Sequence, residues 1–193
     1  MINNAHNMEE LQDHAQRLID RNWIDKVIVV ADHAEATLRH FGLTRDEFGV
    51  GYVYSISELV SLRLCETDYL LHFSGDSMPI APVCWIEQAI SLMTSDPRVK
   101  VANLTWQSNY QQAKAESSEE TENFYLGFGF SDQCYFVHVP TFQQRIYGEW
   151  NSASQRYPAY GGELFEKRVD SWMRNHGYLR ATYRHGAYWH GQT

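Results

Sequence analysis

The chain has 193 residues, of which 44% are hydrophobic, and carries a formal net charge of −8. That length and apolar content support one sizeable core and predict a single domain, while the acidic balance argues against nucleic acid as a partner. No apolar run is long enough to cross a bilayer and no signal-peptide pattern opens the chain, so a cytoplasmic protein with no membrane span is expected. Cys65, Cys84 and Cys134 are far apart, form no Cys-x-x-Cys pair, and read as buried free thiols.

In chain order, Met8, Leu11, Ala15, Leu18 and Ile19 repeat with helical spacing, and Asn7 with Glu10 has the form of a capping box. The β-branched run at 26–31 has the pattern of a parallel strand covered on both faces. Asp32 follows it, and a helix is predicted over 34–41 with Gly42 as C-cap. A further helix opens near Ser55 and runs to about Leu64. Tyr69 to Phe73 reads as a second buried strand. Pro82 fits the first turn of a helix whose apolar face is Trp85, Ile86, Ala89, Ile90 and Met93, and a strand follows from Val99 to Trp106. The stretch 107–123, rich in Glu, reads as a flexible acidic loop or flap. Residues 124–130 and 134–139 are strand-like. A last amphipathic helix buries Phe165, Val169, Trp172 and Met173, and the tail from Tyr178 is strand and loop.

This order predicts an α/β fold with a mainly parallel sheet flanked by helices, in which 26–31, 69–73 and 99–104 are neighbouring strands. A helix precedes any strand, which is unusual for a doubly wound sheet. The expectation is that a first strand is missing from the chain as given or that the sheet is built without it. The bare edge this would leave points to a possible homo-oligomer.

Several residues could carry chemistry. Asp76 closes the run Tyr69-Leu-Leu-His-Phe-Ser-Gly-Asp76, a buried strand ending in a turn with one carboxylate. Ligands of open α/β sheets bind outside the carboxyl ends of strands, so Asp76 stands where a metal or a phosphate-bearing substrate is held. Ser74-Gly75-Asp76 is equally readable as a polar turn. Asp32 could contact a base or ribose, or cap the helix after it. His72 reads as an interior histidine. His190, and less readily His185, could join Asp76 from the glycine-flanked tail, or be a surface residue. Glu163 follows Gly161-Gly162 at the start of the last helix, where a carboxylate is stabilised, and is a candidate general base; the alternative is an ordinary first-turn acid. Asp132, in the Ser131-Asp-Gln turn, could support an acceptor or position Glu163, or simply form the turn. Six Trp and twelve Tyr suit a carbohydrate or base pocket, or an oligomer interface.

Taken together these segments resemble a glycosyltransferase of the GT-A fold. Lys26-Val-Ile-Val-Val-Ala-Asp32 is similar to a nucleotide-site strand and its carboxylate. Asp68-Tyr-Leu-Leu-His-Phe-Ser-Gly-Asp76 resembles the strand that enters the family's Asp-x-Asp motif. Pro82-Val-Cys-Trp-Ile-Glu-Gln-Ala-Ile90 with Asp96-Pro-Arg-Val-Lys-Val101 resembles the helix and strand that follow, and Gly161-Gly-Glu163 the acceptor-side turn. The resemblance implies a nucleotide-diphospho-sugar transferase architecture moving a sugar from a nucleotide-sugar donor to an acceptor hydroxyl, on a carbohydrate or another molecule. It implies Mn²⁺ or Mg²⁺ on the donor diphosphate. Asp76 matches the last acid of the motif, Ser74 occupies its first acid position, and His190 is similar to a late histidine that some members add to the metal shell. By the same resemblance Asp32 faces the nucleotide, Glu163 and Asp132 serve the acceptor, and Trp150, Tyr160 or Trp189 packs against sugar. A non-catalytic relative that binds a sugar or a partner is the alternative, favoured by Ser74 and by the missing first strand.

Overall fold

A computed structural model gives the fold, and residues 1–158 and 161–191 are described. Helix α1 (Met8–Asp20) buries none of its residues, and Asn7 spends its side-chain amide on the Glu10 carboxylate, leaving the helix end without a side-chain cap. Helix α2 (Val30–Phe41) ends at Gly42 in the left-handed conformation, φ 70°, the geometry a glycine C-cap supplies without a Cβ clash. A 3-10 turn (Asp46–Gly51) leads into α3 (Tyr52–Leu64), which buries Ile56, Glu58, Leu59, Val60 and Leu62.

The run 26–31 is not a sheet strand. It makes one isolated parallel bridge, Ile2 to Val29, and Val30 and Ala31 already belong to α2. A short apolar run does not by itself distinguish strand from helix. The helical period decides here: Val30, Ala34, Thr37 and Phe41 are buried on one stripe of α2, and Val30 and Ala34 pack with Ile56 and Val60 of α3.

The strands are β1 (Tyr69–Phe73), β2 (Ser77–Pro79), β3 (Val99–Trp106), β4 (Ser117–Glu120), β5 (Phe124–Gly127), β6 (Cys134–His138) and β7 (Leu179–His190). They form one seven-stranded sheet in the order β1-β6-β3-β7-β5-β4, with β2 paired to β7. The architecture is α/β with a mixed sheet flanked by helices. It is mostly antiparallel rather than mainly parallel, since β3 and β7 alone run side by side in the same direction. The cause is β6, which lies antiparallel between β1 and β3. Those two therefore share a direction and a sheet without touching. A buried central strand reads as a continuous apolar run whichever way its neighbours point, so direction is not visible in Cys134-Tyr-Phe-Val137.

On one face Val101, Tyr135 and Val137 meet Leu59 and Leu62 of α3 and Phe165, Val169 and Met173 of α7 (Phe165–His176). On the other, Ala102, Leu104 and Phe136 meet Trp85 and Ala89, at and inside α4 (Ile86–Ser95). Each large side chain so buried contributes roughly 1.5–3 kcal/mol. The acidic stretch is not a plain loop. It folds as α5 (Tyr110–Ala115) and the edge strand β4, where Arg98 holds the Glu119 carboxylate with both terminal nitrogens. Of the three thiols, Cys134 is buried, Cys65 half-buried and Cys84 exposed, and all are free. Among the described residues no helix is long and apolar enough to cross a membrane. β1, β3 and β7 all end at the same border of the sheet, where β6 begins.

Candidate functional site

That border holds the site. The chain leaves β1 in a turn closed by the Ser77 amide on the Ser74 carbonyl (3.0 Å). Ser74 Oγ donates to Asp76 Oδ1 (2.9 Å) and lies 2.7 Å from the Ser77 hydroxyl, so the serine organises the turn and aims the carboxylate. Pairing of β2 with β7 sets Ser77 opposite His190. His190 Nε2 then stands 3.0 Å from Asp76 Oδ2, and the Gly191 amide donates to the Asp76 carbonyl (2.9 Å). The Ser74 amide bonds the Gln133 carbonyl (2.9 Å), which brings in the turn carrying Asp132. A cavity of about 690 Å³ opens here, lined by Glu58, His72, Ser74, Asp76, Asp132 and His190 among others. Pockets of roughly 300–1,000 Å³ with a few converging polar groups are the usual form of small-ligand sites.

The electrostatics are unusual for so small a volume. Burial raises the proton affinity of Asp132; His190 pulls it back and Asp76 adds to it. Glu58 is pushed up to about 8 by burial, against the pull of the Tyr135 hydroxyl, which donates to Glu58 Oε2 at 2.6 Å. His72 is held down to about 4, again by burial. It stacks on Tyr135 with ring centroids 4.6 Å apart. His72 Nε2 is 3.5 Å from Glu58 Oε2 and has no hydrogen-bond partner among the described residues. With the imidazole neutral and the carboxyl protonated, this is a contact between uncharged groups and not an ion pair.

Ser74, Asp76, Asp132 and His190, four of the residues singled out from the sequence, thus converge. Two others do not. Asp32 is exposed in the first turn of α2, outside the cavity lining, and Val29 rather than Asp32 holds the cap position. Glu163 is engaged by Lys167, whose Nζ donates to Glu163 Oε1 at 2.6 Å, and it too stands outside the lining. Trp150 and Trp189 are exposed and line no part of the cavity. Tyr160 lies outside the described residues. Sequence reasoning missed Glu58, which lines the cavity, and Glu166, which lies outside the lining but feels the charge of Asp132. Glu58 has a visible signal: it is an acid inside the apolar run of α3 with no cation three or four residues away. Glu166, half-buried in the first turn of α7, is pushed up to about 8 by burial and then by the charge of Asp132, whose backbone hydrogen-bonds to it.

As a metal centre the set is sparse. Among the described residues no group of three or more His, Cys, Asp or Glu side chains is placed to hold an ion. Asp76 and His190 are a pair with one carboxylate. That fits the way Mg²⁺ is commonly held, by one or two carboxylates plus substrate phosphates and water, and does not fit an all-protein cage. No family model matches the chain, and neither curated proteins nor solved structures gave a match.

Proposed function

We propose that the chain is a glycosyltransferase that moves a sugar from a nucleotide-sugar to an acceptor hydroxyl. The observation that supports it best is the Asp76–His190 pair facing Asp132 across one cavity at the carboxyl border of β1 and β7. Asp76 and His190 would hold the divalent ion together with the donor diphosphate, and when bound that ion offsets the charge growing on the leaving nucleotide. Ser74 fixes the Asp76 carboxylate in the orientation this needs. In the transfer, the acceptor oxygen bonds to the anomeric carbon as the carbon–oxygen bond to the diphosphate breaks. The hydroxyl proton passes to the Asp132 carboxylate. Burial gives Asp132 the raised proton affinity of a general base, and His190 keeps the rise in check.

Incubation with a panel of nucleotide-sugars and Mn²⁺ tests the proposal, with nucleoside diphosphate release as the readout. Asp132→Asn is expected to lower turnover by roughly 10²–10⁴-fold while donor binding survives. The competing reading is a non-catalytic binding protein, favoured by Ser74, whose hydroxyl is used inside the turn. Donor binding with no release under any condition would decide for it.

A further inference from the structure

A second cavity, of about 560 Å³, opens between α2, α3 and the segment 2–5. Its floor lies where the two helices pack: Val30, Ala34 and Ile56 are buried there, and Leu38 and Tyr52 are half-buried. The segment 2–5 forms the opposite wall. It is held by the bridge from Ile2 to Val29 and by the side chains of Asn3 and Asn4, whose amide nitrogens both donate to the Val53 carbonyl (3.1 and 2.8 Å). The same two asparagines also line the Asp76 cavity, so this segment is a wall common to both. The charged side chains in the lining of the second cavity are Glu35 and Arg45, and both are exposed. The Arg45 guanidinium lies over the Tyr52 ring, 4.7 Å from its centroid. Neither Arg45 nor Glu35 enters an ion pair, with the other or with any described residue.

An apolar floor and one unpaired charge of each sign set what can bind. Small-ligand pockets have this size and this make-up, mostly apolar with a few placed polar groups. The floor disfavours a ligand that is polar throughout, which would lose its hydration against Val30, Ala34 and Ile56 and gain no partner there. Arg45 calls for a carboxylate, because the planar guanidinium presents a fork of donors that matches one. Its position over Tyr52 limits the orientations open to it. Glu35 repels a simple anionic amphiphile and favours a cation. Since Glu35 and Arg45 do not pair with each other, a ligand carrying both charges satisfies both at once. We propose that this cavity binds a zwitterion with a bulky apolar body, the chemistry of a large apolar amino acid or of a short apolar peptide. Its carboxylate pairs with Arg45, its ammonium group with Glu35, and its side chain lies against Val30, Ala34 and Ile56. The site stands independently of the glycosyltransferase reading.

The test uses L-leucine, L-tryptophan and L-leucyl-L-leucine at millimolar concentrations. Dissociation constants are taken from saturation-transfer NMR on the wild type, Arg45→Gln, Glu35→Gln and Ala31→Phe. At least one probe is expected to bind the wild type. Acetylating its amine, or converting its acid to the amide, should each weaken binding roughly tenfold. Arg45→Gln should bind the acid and the amide equally, and Glu35→Gln the free and the acetylated amine equally. Ala31 also lines the cavity, and the ring of Ala31→Phe should weaken every probe. All three substituted residues are exposed, so the variants keep the fold. Tighter binding of the amino acids or of the dipeptide names the source. The proposal is overturned if no probe binds, or if the blocked forms bind as well as the free ones. It is also overturned if decanoate outcompetes the free forms, which would mark a site for anionic amphiphiles, or if binding is lost in Asp76→Asn, which would place the probe in the other cavity.

Discussion

Glu58 and His72 show how burial sets protonation at a single residue. In the unfolded chain Glu58 titrates near 4.5 and in the fold at about 8. Between those values the folded state binds the extra proton, so Glu58 contributes a stability that falls as pH rises. His72 drops from 6.5 to about 4; over that range the unfolded state binds the extra proton, and its contribution falls as pH falls. The two slopes oppose each other from about 4.5 to 6.5. Above 6.5 the opposing slope of His72 is gone, and Glu58 together with Glu166, also raised to about 8, makes stability decline toward pH 8. Urea unfolding across this range checks it: Glu58→Gln should make the decline shallower, leaving the part due to Glu166, and an unchanged decline in that variant would show that Glu58 does not contribute. Glu163 gives the contrasting case. Its side chain is 45% exposed, but it is held by Lys167, which is buried, so Glu163→Gln should cost about 1–3 kcal/mol of stability and leave turnover intact. A collapse of turnover with nucleotide affinity preserved would make Glu163 the base after all.

At the scale of elements, the glycines near Glu163 were legible as special but not for their reason. Gly161-Gly162 looks like a place for a substrate to approach the backbone. The structure uses Gly162 and Gly51 to let two chain segments meet: a Cβ on Gly51 would lie 2.5 Å from the Gly161 carbonyl oxygen, and one on Gly162 would lie 2.9 Å from that of Phe48. Gly51→Ala is therefore expected to destabilise the α3–α7 junction by roughly 1–3 kcal/mol, read as a lower denaturant midpoint. Helices α2, α4 and α7 were legible because each carries a buried stripe at helical spacing. The 26–31 run was not, since five of its residues, all but Lys26, are apolar and no periodicity can show in so short a span. The α5–β4 segment was hidden for a different reason. Its polar residues face solvent on the sheet edge, and its order comes from β5, Arg98 and Arg180 rather than from its own sequence. The turn carrying Asp76 was legible because an apolar strand run followed by Ser-Gly-Asp marks a strand end entering a polar turn.

At the scale of the whole molecule, the fold places charged and polar groups at one border of the sheet and leaves β1 paired on one side only, with Leu71 42% exposed. A free strand edge is a surface for pairing with another chain, and self-association through β1 is the homo-oligomer that the sheet offers. Sedimentation velocity should show mass rising with concentration in the wild type and less so in Leu71→Lys; a monomer throughout contradicts it. The Asp76–His190 site has a more direct test, which is calorimetric titration of nucleoside diphosphates with and without Mn²⁺ into the wild type and Asp76→Asn. The expected result is metal-dependent binding to the wild type that weakens in Asp76→Asn by about 1–3 kcal/mol, with the unfolding midpoint of the free protein nearly unchanged. Equal binding by both proteins in excess Mn²⁺, or no metal-dependent binding by either, would contradict it.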